Sequence, residues 1–335
     1  MKKKGDRGPR VGVVIPAYKV SKHIIGVLED LSDSVDRICV VDDACPEQSG
    51  KLVESYFDIK KVSVLYHEKN KGVGAAMKTG FTHLLTQDVD VIVKVDGDGQ
   101  MKARQIDSLL SPLVKNLADY AKGNRFYSFE SIKKIPRIRL IGNIVLSFMS
   151  KAASGYWNIF DPNNGYIAVT TPVLREMNLD QVSNRYFFES DMLFRLYLVR
   201  ARVIDVPMMA VYGSERSSLS IWKSAFEFPA KYVRNFLKRL YLMYIVRDFS
   251  LPGLQLVSGI VLSTSGTFLG MYNFLRSQAL EIETAPGTLI LFALLMLVGL
   301  QLLLSFLSFD VQNIPDRAIT RDIKLVQDGP TSKSN

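Results

Sequence analysis

The 335-residue chain has few cysteines (two) and few histidines (three), and each scarcity closes a class of chemistry. Cys39 and Cys45 do not stand at metal-ligand spacing, and a reducing cytosol disfavours a disulfide, so both read as small apolar filler. His23 and His83 fall in expected helices and His67 follows an expected strand. Without ligand spacing, the three read as structural or exposed rather than as a metal set. No Walker phosphate loop occurs. Gly72-Val73-Gly74 starts like a dinucleotide fingerprint, but its third glycine position is Met77, which removes that reading. The basic start Met1-Lys2-Lys3-Lys4 leads only to a short apolar stretch over 11–15 before Pro16, so no signal peptide is expected. The sequence shows no internal repeat, and no long low-complexity segment before its polar tail.

Hydrophobic residues make up 47% of the chain, and they pile up near its end. Residues 254–275 and 287–309 carry no charge, and each run is long enough to cross a hydrocarbon core of about 30 Å. Two transmembrane helices are expected, against the alternative of a buried hairpin in a soluble core. Lys231, Arg234, Lys238, Arg239 and Arg247 precede the first run, and Arg317, Arg321 and Lys324 follow the second. The segment between them, 276–286, holds one basic residue with Glu281 and Glu283. The positive-inside rule then puts both chain ends, and the large N-terminal part, in the cytoplasm. The net charge of +9 gathers near these runs, so anionic lipid is the expected partner and nucleic acid is not.

Upstream, apolar strands alternate with amphipathic stretches. Residues 11–15, 37–41, 62–66 and 90–95 read as strands; 21–31, 47–57 and 72–85 read as helices, with Ser21 as a cap. Such alternation implies an α/β fold with a mainly parallel sheet. Residues 122–155 break the rhythm and read as a basic loop running into a helix near the membrane. Beyond it, strands are expected at 166–170 and 203–206, with a helix over 187–199 between them. In 231–244, Tyr232, Val233, Phe236, Leu237, Leu240, Tyr241 and Tyr244 share one helical side and Lys231, Arg234, Lys238 and Arg239 the other. That pattern fits a helix lying in the lipid interface, or one packed on the preceding domain. The expected organisation is a basic tail over 1–10, an α/β domain over 11–225, a juxtamembrane helix over 226–250, a membrane hairpin over 251–310 and a polar tail over 311–335.

The densest chemistry lies where Val91-Ile92-Val93-Lys94-Val95 runs into Asp96-Gly97-Asp98-Gly99-Gln100. Ligands of open α/β sheets bind at strand carboxyl ends. Two carboxylates at i and i+2 can share a hard divalent cation holding a diphosphate; the same letters also make an ordinary Asp/Gly turn.

Three elements share this placement at strand ends: Pro16-Ala17-Tyr18, Val40-Val41-Asp42-Asp43 and Asp96-Gly97-Asp98-Gly99-Gln100. As an ordered set they resemble the inverting GT-A fold glycosyltransferases of family 2 over nearly all of 11–219. With two C-terminal spans, the chain is most similar to the polyprenyl-phosphate glycosyltransferases, the group of the dolichol-phosphate mannose synthases. The resemblance implies that Pro16, Ala17 and Tyr18 shape a nucleotide pocket and that Asp42 and Asp43 contact base and ribose. It implies that Asp96 touches the nucleotide, that Asp98 ligates Mg²⁺ or Mn²⁺, and that Gln100, with Asp96, supports the metal site. Gly123-Asn124-Arg125 and Arg139, with Arg137 nearby, match the elements that grip a lipid phosphate. Asp161-Pro162-Asn163-Asn164-Gly165-Tyr166 matches an Asp-x-x-x-Gly-Tyr element, and Asp161 is expected to face acceptor or donor sugar. Asp191 is the second candidate, and Glu189 reads as a first-turn acid suited to the helix dipole. The chain departs from the mannose synthases at Tyr212, where an arginine near the diphosphate is expected; Arg216, Ser217 and Ser218 stand close by to replace it. Neither Trp157 nor Trp222 follows an arginine, so the processive Gln-x-x-Arg-Trp motif is missing.

The resemblance implies a membrane enzyme moving sugar from a nucleotide-diphosphate sugar to a polyprenyl phosphate. An ionised acceptor phosphate needs no strong base. Two alternatives stay open: a hydroxyl acceptor with Asp161 or Asp191 as base, and a non-catalytic membrane anchor that kept the fold. Homo-oligomer formation through the spans is compatible with two helices that bury little alone.

Overall fold

The computed structural model describes residues 8–58, 61–101, 103–127, 137–162, 164–208 and 221–323. The chain divides into two compact units, residues 1–236 with 315–335, and Leu237–Ile314.

The first unit is built on a seven-stranded sheet. Its strands are β1 Val11–Ala17, β2 Arg37–Asp42, β3 Val62–Tyr66, β4 Val91–Lys94, β5 Tyr120–Asn124, β6 Ile167–Thr170 and β7 Val203–Pro207, in the order β3-β2-β1-β4-β6-β5-β7. The first four are mutually parallel, β6 runs antiparallel to β4 and β5, and β7 is parallel to β5. Strands buried on both faces read as continuous β-branched runs, and Val13, Val14, Ile15, Val40 and Val41 are all solvent-free. Helices α1 Ile24–Ser32, α2 Ser49–Tyr56, α3 Val73–Leu85 and α4 Ile106–Val114 cover the parallel part. In α1, Ile24, Val27, Leu28 and Leu31 form the buried stripe that a 3.6-residue period produces. In α3, small residues bring the helix close to β1: a Cβ on Gly80 would lie 2.3 Å from Val14 Cγ1.

Three expectations need correction. Helix α1 begins at Ile24, because Ser21 spends its hydroxyl on Glu47 (2.6 Å) and caps nothing. The basic stretch from residue 122 does not start as a loop, since Lys122, Gly123 and Asn124 are buried residues of β5. They are followed, after the undescribed 128–136, by α5 Arg137–Ser154. Helices α6 Thr171–Glu176 and α7 Phe188–Leu198 lie between β6 and β7 in sequence.

The third correction concerns α8 Ile221–Tyr241. Within the first unit part of its apolar side packs on protein, while Val233 on the same side stays exposed. Phe228 and Tyr232 meet Phe187 edge-on at 5.3 and 4.9 Å between ring centroids, and buried Asn235 donates to Asp191 (2.9 Å). The first unit also contains chain from beyond the apolar segments. The buried Asp119 carboxylate accepts from the backbone N–H of Arg202 (2.8 Å), Ile319 (2.9 Å) and Thr320 (2.9 Å), and from the Thr320 hydroxyl (2.5 Å).

The second unit holds α9 Leu251–Leu280 and α10 Pro286–Gln312, both long and apolar enough to cross a membrane. Only 17% and 11% of their apolar windows are buried, which does not fit the core hairpin of a soluble domain. They pack through small residues: a Cβ on Gly299 would lie 2.4 Å from Ser263 Oγ, and one on Gly259 2.9 Å from Leu303. Arg239, expected on the exposed basic side, is fully buried here. It makes a two-pronged pair with Asp310 (2.6 and 2.9 Å), to which Tyr244 also donates (2.6 Å).

Candidate active site

Sheet register brings the sequence-defined segments to one edge. Ala17 of β1 sits beside Asp42 of β2, Val14 beside Lys94 of β4, and Lys94 in turn beside Ile167 of β6. Pro16-Ala17-Tyr18, Asp42-Asp43 and Asp96 through Gln100 therefore lie at the carboxyl ends of neighbouring parallel strands, the position of ligand sites in open α/β sheets.

Asp42 and Asp43 are both buried and both organise backbone. Asp42 accepts from the N–H of Cys45 (2.6 Å) and of Gly50 in the first turn of α2 (2.7 Å). Asp43 accepts from Lys71 N (2.9 Å) and Gly72 N (2.7 Å) and pairs with His67 Nδ1 (2.6 Å), while His67 Nε2 meets the Thr79 hydroxyl (2.9 Å). The two acids thus fix the turn into α2 and the turn into α3. Gly72 has φ +96°, and a Cβ on Gly74 would lie 2.1 Å from Ser183 O, so these glycines serve a turn and a close chain approach. Tyr18 is exposed beside this edge.

The acidic end of β4 is built around a lysine. Lys94 is buried, and its ammonium donates to Asp96 Oδ1 at 2.6 Å and lies 3.4 Å from Glu189 Oε1. Burial works against the Lys94 charge, but Asp96 and Glu189 outweigh it and hold its pKa above the ordinary lysine value. Gly165 makes room for the pair, since a Cβ there would fall 2.3 Å from Lys94 Nζ and 2.8 Å from Asp96 Oδ2. Asp98 is half-buried and accepts from the Gln100 N–H (3.0 Å) across Gly99 at φ +75°. Among the described residues, no group of three or more His, Cys, Asp or Glu side chains stands ready for a metal. Any cation here would take much of its shell from oxygens of a ligand.

A second buried lysine lies on β5. Lys122 donates to the Asn164 carbonyl, and burial pushes its pKa down to about 8 against the pull of Glu189, Asp161 and Asp205. Asn164 ties the neighbourhood together, donating from Nδ2 to Gly123 O (2.7 Å) and accepting from Tyr166 N (3.0 Å). At the end of β5, Arg125 holds the buried Asp161 with two prongs, Nε to Oδ2 at 2.8 Å and Nη2 to Oδ1 at 3.1 Å. Burial raises Asp205, on adjacent β7, to about 6.

The two α7 acids meet different partners. Asp191 is turned away into the protein, where it accepts from Ser183 N (2.8 Å), Arg195 Nε (3.3 Å) and Asn235 Nδ2 (2.9 Å). Glu189, expected only to face the helix dipole, points at Lys94. Lys94, Lys122 and Asn164 were not anticipated. The signal for Lys94 was a lysine inside an apolar strand, which must have a partner when buried; Lys122 and Asn164 carried no such signal, because β5 is not an apolar run. Arg137 and Arg139 lie in the first turn of α5, with side chains outside the described part, and Tyr212, Arg216, Ser217 and Ser218 lie outside the described residues.

This architecture is shared with solved structures. Mannosyl-3-phosphoglycerate synthase from Rubrobacter xylanophilus matches 72% of the chain and 77% of its own length with a TM-score of 0.52 at 15% identity. Glucosyl-3-phosphoglycerate synthase from Mycobacterium tuberculosis, solved with uridine diphosphate, matches 69% and 80% with a TM-score of 0.50 at 16% identity. The fold is therefore that of GT-A glycosyltransferases. The profile of Glycosyl transferase family 2 matches residues 12–177. Undecaprenyl-phosphate mannosyltransferase of Micrococcus luteus is 30% identical over 206 residues, 60% of this chain and 84% of the relative. UDP-N-acetylglucosamine–dolichyl-phosphate N-acetylglucosaminyltransferase of Methanococcus voltae is 27% identical over 214 residues, 60% of this chain and 85% of the relative. The chain belongs to glycosyl transferase family 2, and it is a glycosyltransferase with two apolar C-terminal helices.

Proposed function

We propose that the chain transfers a sugar from a nucleotide-diphosphate sugar to the phosphate of a polyprenyl phosphate, in one inverting displacement at a membrane. The observation that carries this reading is the pair of Arg125 with Asp161. Both carboxylate oxygens are engaged by the guanidinium, so Asp161 is not posed to take a proton from a hydroxyl acceptor. A phosphate acceptor asks for no such base, because its second pKa of about 6 leaves it largely ionised at pH 7. Arginine at the rim of the site offers paired donors to phosphate oxygens instead. The relatives named for undecaprenyl and dolichyl phosphate support the same acceptor class.

In this reading, Pro16, Ala17 and Tyr18 form the nucleotide pocket with the turns that Asp42 and Asp43 hold. Arg125, with Arg137 and Arg139, grips the acceptor phosphate, and Arg216 with Ser217 approaches the diphosphate. The hard oxygens of Asp98 and Gln100 suit Mg²⁺ or Mn²⁺, with the donor diphosphate completing the shell. Such a cation, when bound, neutralises charge developing on the leaving diphosphate. The protein's remaining task is positioning. The catalytic unit faces the cytoplasm. The basic residues on both flanks of the hairpin support that side; residues 319 and 320, beyond the second apolar helix, are bonded to Asp119 of that unit, which supports both flanks lying on one side of the bilayer.

The test is a donor screen with the full chain in detergent, reading nucleoside diphosphate released from UDP- and GDP-sugars with undecaprenyl or dolichyl phosphate. Release is expected to require the lipid phosphate and to stop on adding chelator. Arg125→Met is expected to lose turnover about a hundredfold with nucleotide affinity retained. Efficient transfer to polyprenol or diacylglycerol, with an acid limb set by one carboxylate, would replace this reading by the hydroxyl-acceptor one.

A further inference from the structure

One oxygen of Asp205, on β7, pins the residue before each member of the Arg125–Asp161 pair. Its Oδ2 accepts the side-chain amide of Asn124 (3.0 Å) and the backbone N–H of Phe160 (2.8 Å). Asn124 ends β5 and directly precedes Arg125, and Phe160 directly precedes Asp161. The Asn124 amide also reaches past Arg125, since its Oδ1 accepts the Phe126 N–H (2.9 Å). Phe126 and Phe160 then meet edge-on at 6.1 Å between ring centroids. Asp205 stands beside Lys122 in the β5–β7 register, and the Lys122 charge favours its ionised form against burial. The second oxygen, Oδ1, is buried and meets no donor among the described residues.

A buried acceptor without a donor costs stability, so packing alone gives no reason for an acid here. What the carboxylate achieves is to join β7, the end of β5 and the chain at 160–161 behind the point where the arginine fork meets its acid. The side chain of Arg125 is 41% exposed and that of Asp161 3%, so the guanidinium is the outward face of the pair and Asp161 its backing. A two-pronged fork is aligned only as well as the two backbones that carry it. We propose that Asp205 is a positioning residue for the acceptor. Through Asn124 and Phe160 it sets the backbones of Arg125 and Asp161, and so aims the guanidinium at the acceptor phosphate. This inference rests on the reading above in which Arg125 grips that phosphate.

The test uses the full chain in detergent, with undecaprenyl phosphate as acceptor probe, the sugar donor identified by the screen above, and UDP for nucleotide affinity. Asp205→Ala removes both bonds, and is expected to lower kcat/KM for undecaprenyl phosphate about tenfold while UDP affinity stays within about twofold. Asp205→Asn, whose carbonyl oxygen can stand in for Oδ2 and accept both N–H groups, should recover most of that loss. In an Arg125→Met background, Asp205→Ala should cost less than about twofold, because the group it aims is gone. A merely structural acid would lower the melting temperature and leave the two losses additive. Additive losses overturn the proposal. So does an Asp205→Ala protein with wild-type acceptor turnover, one whose UDP affinity falls as far as its acceptor turnover, or an Asp205→Asn protein that recovers nothing. If Asp205→Ala does not fold, Asn124→Ala, which cuts only the arm to Arg125, is set against Arg125→Met in the same way, and additivity there overturns the proposal. An Arg125→Met protein with wild-type turnover would sink the acceptor reading of that arginine itself, an outcome distinct from losing only the role of Asp205.

Discussion

Asp119 fastens the chain beyond the second apolar helix to the catalytic unit, and replacing it tests whether that segment belongs to the domain. Its Oδ1 accepts the Thr320 N–H and hydroxyl, and its Oδ2 accepts the N–H of Arg202 and Ile319. In Asp119→Asn, either orientation of the amide turns an NH₂ group toward two donors, so half of these bonds are lost and replaced by opposed dipoles. At about 1.5–3 kcal/mol for each hydrogen bond to a charged group, the loss comes to about 3–6 kcal/mol, a large share of a typical domain's stability. Thr320→Val is gentler: it keeps the backbone donors, removes one bond and leaves the Thr170 hydroxyl without its 2.7 Å partner, a loss of about 2 kcal/mol. Because the segment can open locally, that loss should appear first as undocking, with the open population rising about thirtyfold. Arg317 and Arg321 are exposed on either side of Thr320 and give trypsin its sites. Cleavage at Arg321 under native conditions is expected to be about thirtyfold faster in Thr320→Val, and Asp119→Asn should also melt at lower temperature. Cleavage at the wild-type rate in both variants would refute the claim that this segment is part of the folded domain.

Three further outcomes are expected. Arg239→Met should destabilise the protein by about 3–5 kcal/mol by stranding buried Asp310, and Arg239→Met with Asp310→Leu should recover most of it, as read by thermal melting in detergent. Gly165→Ala should push its methyl into Lys94 and Asp96, costing about 1–3 kcal/mol and weakening UDP binding in calorimetry. Lys122 titrates near 8 in the fold against 10.5 as the ordinary value, so the unfolded chain binds more protons between these limits and stability should rise with pH across that window. Below pH 8 the full cost, about 3 kcal/mol, is present, and Lys122→Met should flatten the dependence of melting temperature on pH from 8 to 10.

The parallel half of the sheet was legible because buried strands are largely apolar: 11–15 and 38–41 are apolar throughout, and only Ser63 interrupts 62–66. Strand β5 was not, because Lys122, Gly123 and Asn124 break that pattern, and their tolerance depends on partners from distant segments: the Asn164 carbonyl for Lys122, Asp205 for Asn124. Period analysis found the amphipathic character of α8 but not what covers it. Phe228 and Tyr232 cover Phe187 rather than lipid, and Arg239 counted as a solvent charge because its partner Asp310 lies 71 residues away.

The α7 acids make the same point more sharply. Glu189 and Asp191 are two positions apart on a helix, about 200° around its axis, so they cannot face the same neighbour. Composition gives no reason to choose between them; only packing does. Asn235, brought onto α7 by α8, satisfies Asp191, while Lys94, on the far side in β4, can meet only Glu189. The two lysines then account for what acid-counting left unexplained. Asp96, Glu189, Asp161 and Asp205 crowd one end of the sheet, and carboxylates that close would repel or take up protons unless cations were built among them. Arg125 serves Asp161, and Lys94 and Lys122 are the further cations, supplied from inside strands, where no surface-charge pattern could reveal them.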